Sequence, residues 1–165
     1  MRILFSALMF LTLFSCGYYS FSGKSIPPNI KNAQLLLFED NTGRYDLSLP
    51  EILNEKIIKS IEDYNYFIIE NSSGADAKIY GTVRSYSEKI LSQSRDEVAD
   101  LMEVSVSVEI NFFDNSTGDF IVKNLTLNDR ENYEASGGDA ARNEAFEILT
   151  DRISENIVLG LSSNW

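Results

Sequence analysis

Met102-Glu103-Val104-Ser105-Val106-Ser107-Val108-Glu109-Ile110-Asn111-Phe112 alternates apolar and polar side chains without a break. Side chains of a strand change face at every residue, so Met102, Val104, Val106, Val108, Ile110 and Phe112 share one side. Glu103, Ser105, Ser107, Glu109 and Asn111 share the other. A strand with one apolar and one polar face belongs to an antiparallel sheet that packs on a core with one side and meets water with the other. Asp114-Asn115-Ser116-Thr117-Gly118-Asp119 then turns the chain. It lacks the downstream bidentate glutamate of a calcium loop, so a hairpin turn with glycine in a left-handed position is expected. In the returning strand Phe120 and Val122 hold even positions, whereas Leu125 and Leu127 hold odd ones. This slip of the two-residue period predicts a β-bulge near Lys123-Asn124.

Upstream of the hairpin, Ala77, Ile79, Gly81 and Val83 alternate with Lys78, Tyr80, Thr82 and Arg84, which predicts a strand over about Ala77 to Ile90. Ser92 to Asp100 is a polar link, and Asn71-Ser72-Ser73-Gly74 is a turn. Ala33 to Phe38 is a continuous apolar run and reads as a central strand buried on both faces. Glu39-Asp40-Asn41-Thr42-Gly43 reads as a loop. Ser48 and Glu51 have the spacing of a capping box, with Pro50 in the first turn of the helix it would open. Leu49, Ile52, Leu53, Ile57 and Ile61 then recur at helical spacing. Tyr66 to Glu70 is a short strand, so strand, helix and strand make a right-handed parallel unit. After the hairpin, Ser136-Gly137-Gly138-Asp139 opens a final helix to about Leu159, with Ala145, Phe146, Leu149, Ile153 and Ile157 as its buried stripe and Gly160 as its stop. The expected fold class is α+β, a two-layer sandwich in which a mixed sheet of four to five strands carries both helices on one face.

The chain has 165 residues, 14 basic against 25 acidic side chains and no histidine. An acidic balance argues against a nucleic-acid binder, which needs a basic footprint. The missing histidine removes the commonest general base and the commonest metal ligand. No nucleophile elbow, phosphate-binding glycine loop or metal-spaced ligand set occurs, so neither catalysis nor a cofactor is expected. The carboxylates fall on polar faces and in turns, where solvation is the default. The basic residues are few. Arg84 and Lys89 on one strand and Lys123 and Arg130 on another are the candidate ligand-binding set, able to pair with phosphates or carboxylates if the strands lie close.

The N-terminus carries a different signal. Met1-Arg2 is followed by an apolar run from Ile3 to Phe14, interrupted only by Ser6 and Thr12, and then by Ser15 and Cys16, the single cysteine. A charged start, a short apolar core and a small residue before the cut read as a secretory signal, too short to span a bilayer. Leu13-Phe14-Ser15-Cys16 resembles the bacterial lipoprotein box, in which the cysteine becomes the first mature residue and carries palmitate-type acyl chains. Two or more chains anchor a protein stably to a membrane. Residues 1–15 are then a lipoprotein signal, 16–32 a lipidated N-terminus and extended tether, and 33–165 one α/β domain. Pro27 and Pro28 favour an extended or polyproline path within the tether. Removing Arg2 with the signal leaves a mature net charge of −12.

The order of elements, with Cys16-Gly17-Tyr18-Tyr19-Ser20-Phe21-Ser22-Gly23, Ser25-Ile26-Pro27, Phe38-Glu39-Asp40-Asn41-Thr42 and Ala75-Asp76 followed by Gly81, resembles the LptE family of lipopolysaccharide-assembly lipoproteins. The resemblance spans nearly all of the mature chain. It implies a mixed sheet with two helices on one face, an outer-membrane location in a Gram-negative bacterium, and a role as plug and assembly factor inside an LptD-like β-barrel. It also implies contact with lipopolysaccharide through basic residues. The succession of strand, helix, strand and Ala-Asp…Gly strand is similar as well to lipoproteins of the curli-secretion and peptidoglycan-synthase-activator type, which oligomerise or bind a periplasmic enzyme. A lipid-anchored carrier of a small ligand is the third expectation.

Overall fold

The computed structural model describes residues 26–44, 48–93 and 99–162. Cys16 and the apolar leader lie outside them, as does most of the 92–100 link. Six strands and two helices follow in the order β1 (Asn32–Leu35), β2 (Glu39–Asp40), α1 (Leu49–Tyr64), β3 (Ile68–Ile69), β4 (Ala77–Gln93), β5 (Ala99–Asp114), β6 (Phe120–Glu134) and α2 (Gly138–Ser162). The sheet runs β3-β1-β4-β5-β6, with the two-residue β2 also paired to β4. β1 is parallel to β3 and β4, while β4, β5 and β6 are antiparallel. The fold is therefore α+β with a mixed open sheet, as the patterning predicts.

The alternating stretch does what its period requires. Val104, Val106, Val108, Ile110 and Phe112 are buried under the helices. Leu49, Leu53, Ile57 and Ile61 of α1 and Leu149, Ile153 and Ile157 of α2 are fully buried against the same side. Each such side chain contributes about 1.5–3 kcal/mol before entropy is charged against it. Lys56 of α1 joins the helices by pairing with Glu147 and Asp151 of α2. The expected bulge is present. The β5–β6 register shifts between Ile110 and Phe112, Asn124 adopts a left-handed φ of 52°, and its N–H donates to the Asn111 side-chain oxygen at 2.9 Å. A second bulge lies in β4 between Val83 and Ser85, after which Tyr86, and no longer the odd positions, faces the core.

Several expectations are corrected. Ala33 to Phe38 is not a strand buried on both faces. Both helices cover one face only, so Ala33 and Leu35 are buried while Leu36 and Leu37 are 39% and 57% exposed. Between the pairings Leu35↔Ile79 and Glu39↔Thr82 this segment holds one residue more than β4, Phe38 packs on Gly81, and the chain resumes as β2 at Glu39, a position read as loop. Ser48 makes no capping box. Its φ of 47° and ψ of 36° are left-handed, and a capping side chain needs the extended region. Pro27 and Pro28 are not extended but enter a turn closed by the Ile30 N–H on the Pro27 carbonyl. The strand expected over Tyr66 to Glu70 is only two residues long. Gly160 does not stop α2, which runs on to Ser162. It is buried, and a Cβ there would stand 2.7 Å from Leu125 Cδ2, so the glycine serves the helix–sheet approach. Phe146 is half-buried and packs edge-on against Tyr86 at 6.1 Å, leaving Thr150, Ser154, Val158 and Leu161 to extend the buried stripe.

The N-terminal segment is tied to the hairpin turn. Asn29 donates to Asp114 Oδ2 at 3.1 Å, and the Asp76 carboxylate accepts from the N–H groups of Lys31 and Asn32. Ile30 is buried, and Ile26 packs on the core. The Ser116 hydroxyl first, then Asn29 and the backbone N–H groups of Ser116 and Thr117, hold the Asp114 carboxyl down at about 2. A depressed folded-state pKa contributes stability above the ordinary value near 3.8 that is lost as pH falls toward 2. Thermal melts of Asp114→Asn should therefore lie furthest below the parent above pH 4 and converge with it toward pH 2. A gap independent of pH would contradict this account of the turn. Gly81→Ala should destabilise by about 2 kcal/mol or more, because the added Cβ would stand 2.4 Å from the Glu109 carbonyl oxygen across the ladder. Denaturant titration measures this, and an unchanged midpoint would mean that the strands yield there.

Candidate functional site

Both helices lie on one side of the sheet, so among the described residues no helix covers the other face of β4, β5 and β6, called the bare face below. Cross-strand register sets its rows. Ser85 faces Ser107, Ser87 faces Ser105 and Lys89 faces Glu103 between β4 and β5, while Asn128, Arg130 and Asn132 of β6 lie opposite Ser107, Ser105 and Glu103. The Ser87 and Ser105 hydroxyls are 2.8 Å apart. An open depression of about 430 Å³ is lined by Ser85, Lys89, Glu103, Ser105, Ser107 and Arg130, among others.

The four basic candidates fall into two places. Lys89 Nζ lies 2.8 Å from Glu103 and Arg130 Nη1 lies 3.9 Å from the same carboxylate, so these two converge. Arg84, beside the β4 bulge, pairs with Glu109 at 2.8 Å on the same face. Lys123 stands apart, 5.1 Å over the Phe120 ring next to the hairpin turn. The sequence treats Glu103 and Glu109 as solvated carboxylates, but Glu103 is only 5% exposed. Long side chains from both neighbouring strands cover it, and an acid opposite a lysine in register is the signal that marks it. The depression thus joins hydroxyls, a buried carboxylate and two cations in one wall, which can exchange hydrogen bonds with a polar surface. Among the described residues no group of three or more His, Cys, Asp or Glu side chains could hold a metal ion.

Two further clusters secure the wall from behind. Arg142 of α2 forks onto Glu88 of β4 with contacts of 2.6 to 3.1 Å and holds that carboxyl below its ordinary range. Burial first, and the Glu88 carboxylate second, push the Tyr86 hydroxyl well above its usual value. Arg152 of α2 forks onto Asp129 and reaches Glu131, both on β6, the terminal strand. On the same strand the Arg130 and Asn132 N–H groups donate to Asp129 and Glu131, and the Arg130 carbonyl accepts from Arg152. Side chains thereby occupy backbone groups that an edge strand otherwise offers to another chain.

No family model matches the chain, and no curated protein is similar to it in sequence. Its fold is shared with solved bacterial proteins. Uncharacterized lipoprotein B from Nitrosomonas europaea is 12% identical, with 81% of this chain and 83% of that one covered at a TM-score of 0.60. A Xanthomonas campestris protein of family DUF330 is 11% identical, with 80% and 83% covered at a TM-score of 0.58. A minor lipoprotein from Acinetobacter baumannii is 15% identical, with 82% and 93% covered at a TM-score of 0.50. At such identities the likeness is one of fold.

The edge cluster makes a prediction of its own. Arg152→Ala should leave two carboxylates unpaired and uncover part of β6. The expected cost is about 1 kcal/mol, discounted for exposure, together with concentration-dependent self-association on a sizing column. A variant that melts and elutes like the parent would remove Arg152 from edge protection.

Proposed function

We propose that this chain is a lipid-anchored protein of the Gram-negative envelope that acts by binding, through the bare face of its sheet, to an outer-membrane β-barrel of the LptD type. In that reading it plugs the barrel and assists its assembly for lipopolysaccharide transport, as the LptE resemblance implies. The observation that carries it is the wall of Ser85, Ser87, Ser105, Ser107, Asn128 and Arg130, left uncovered by either helix. The lumen of an outer-membrane barrel is polar and lined with side chains, and a hydroxyl-rich, ion-paired face suits such a wet contact. The leader ending at Cys16 supports the anchor, and a fold shared with bacterial lipoproteins is consistent with it.

The test has two parts. Intact-mass spectrometry of the mature protein should show an acylated Cys16, and Cys16→Ala should leave it unprocessed or released; a free thiol at Cys16 would remove the anchor. Detergent co-purification should recover a large barrel protein, and depletion should leave the outer membrane leaky to hydrophobic compounds. Ser105→Trp should fold like the parent, since Ser105 lies on the uncovered face, yet lose most of the co-purified barrel. Recovery of a homo-oligomer or a periplasmic enzyme, with permeability unchanged on depletion, would replace this reading with the curli-secretion or synthase-activator type.

A further inference from the structure

The end of the bare face beside the hairpin turn differs from the serine wall. Lys78, Phe113 and Phe120 form one row across β4, β5 and β6, with Tyr80 next along β4 and Lys123 beyond the turn. Phe113 and Phe120 meet edge to face at 5.2 Å. Lys78 Nζ stands 4.6 Å from the Phe113 centroid and 5.9 Å from that of Tyr80, and Lys123 Nζ stands 5.1 Å from that of Phe120. Arg84, Lys89 and Arg130 of the same sheet face carboxylates, whereas Lys78 and Lys123 have rings as their partners. Phe120 is 40% exposed. At roughly 3.3 Å per residue, about 35 Å of strand separates Lys78 from Lys89, so this row is a separate place from the depression.

From this row we infer that the hairpin end docks on the anionic phospholipid surface to which the chain is tethered, with Phe113, Phe120 and Tyr80 at headgroup level and Lys78 and Lys123 on the phosphates. This rests on the anchor in the reading above, and deepens it by giving the domain an orientation. Aromatic bodies with polar or cationic tips favour the boundary between acyl chains and headgroups. Lysines that stand over rings keep their full positive charge and are drawn to anionic lipid even when net charge opposes binding, because the attraction acts within a Debye length. Where the chain enters the fold provides the independent argument. Asn29 is bonded to Asp114 and Ser116 of the hairpin turn itself, so the segment arriving from Cys16 joins the domain at this end. The ten residues from Cys16 to Ile26 reach at most about 35 Å, which keeps the row close to any bilayer that holds Cys16. The serine wall then points its far end away from the lipid.

The experiment separates the row from the acyl chains. The mature chain carrying Cys16→Ser, which has no anchor, is sedimented with vesicles of phosphatidylethanolamine and phosphatidylglycerol and with vesicles of phosphatidylcholine. Binding to the anionic vesicles alone is expected. Lys78→Gln with Lys123→Gln should weaken it by about twenty-fivefold, at roughly fivefold per lysine. Phe120→Ser should weaken it further, and Lys59→Gln on α1 should leave it unchanged. Melting curves matching the parent establish that each variant is folded. No binding of the Cys16→Ser chain to anionic vesicles, or equal binding by the double lysine variant, overturns the proposal whether or not Cys16 is acylated. If the lysine variant binds vesicles like the parent but loses the co-purified barrel, the row belongs to the protein partner and the lipid proposal is again overturned. A free Cys16 thiol with intact vesicle binding would instead remove the anchor alone.

Discussion

One-sided cover governs this molecule. β4, β5 and β6 run 17, 16 and 15 residues, and on one side of them Ala77 to Tyr86 and Val104 to Phe112 bury their apolar positions under α1 and α2, with Val122, Leu125 and Leu127 partly covered. The ladder must keep its register over that length, because a slip by one residue would turn Val104 to Phe112 outward and bring Glu103 and Glu109 onto the core. The bulges at Val83/Ser85 and at Asn111 opposite Lys123-Asn124 shift the pairing by a residue and so keep apolar side chains on the core side where the sequence changes phase. Gly81 belongs to the same constraint, since only a bare Cα lets Phe38 and the Glu109 carbonyl approach β4 at that point.

The uncovered side must satisfy itself. It does so in segments: a Lys and Arg pair shielding Glu103, a ladder of hydroxyls, an Arg84–Glu109 pair, and lysines over rings at the hairpin end. The exposed ion pairs contribute little to stability, at most about 1 kcal/mol each. Their weight lies in the chemistry they present, a face that exchanges hydrogen bonds. The side chains Asp129, Glu131 and Arg152 occupy β6 where the sheet would otherwise be open to another strand. Among the described residues part of the edge is thus blocked while the face carries no helix, which suits recognition by side chains more than strand addition.

Much of the fold is legible in the sequence because its periods are pure. The two-residue alternation of 102–112, the even-to-odd slip after Val122 and the helical stripe of Leu49 to Ile61 each admit one reading. The failures share a physical origin in three-dimensional placement. Ala33 to Phe38 reads as a doubly buried strand because composition records apolarity and not that the helices cover one face only, which leaves Leu36 and Leu37 exposed. Ser48 has the residue type of a cap, but its own backbone is left-handed, at φ 47° and ψ 36°, and its side chain makes no capping hydrogen bond. Gly160 has the type of a stop, but helix–sheet packing retains it inside α2. At the site, strand proximity was the missing information: Lys89 and Arg130 share Glu103 only because β5 lies between β4 and β6, and Lys123 is excluded because its bulge sits at the opposite end. Lys78 carried no sequence signal at all, since its significance is the ring of Phe113 across the ladder.

If this protein works through the bare face of its sheet, a partner must lie within reach of that face and not of the helices. A photo-crosslinking amino acid placed in turn at Ser105, on that face, and at Glu55, on the exposed side of α1, tests it most directly in intact cells. A discrete adduct with one large envelope protein is expected from position 105 and none from position 55. Adducts from position 55 with none from position 105 would assign the working surface to the helices and contradict it.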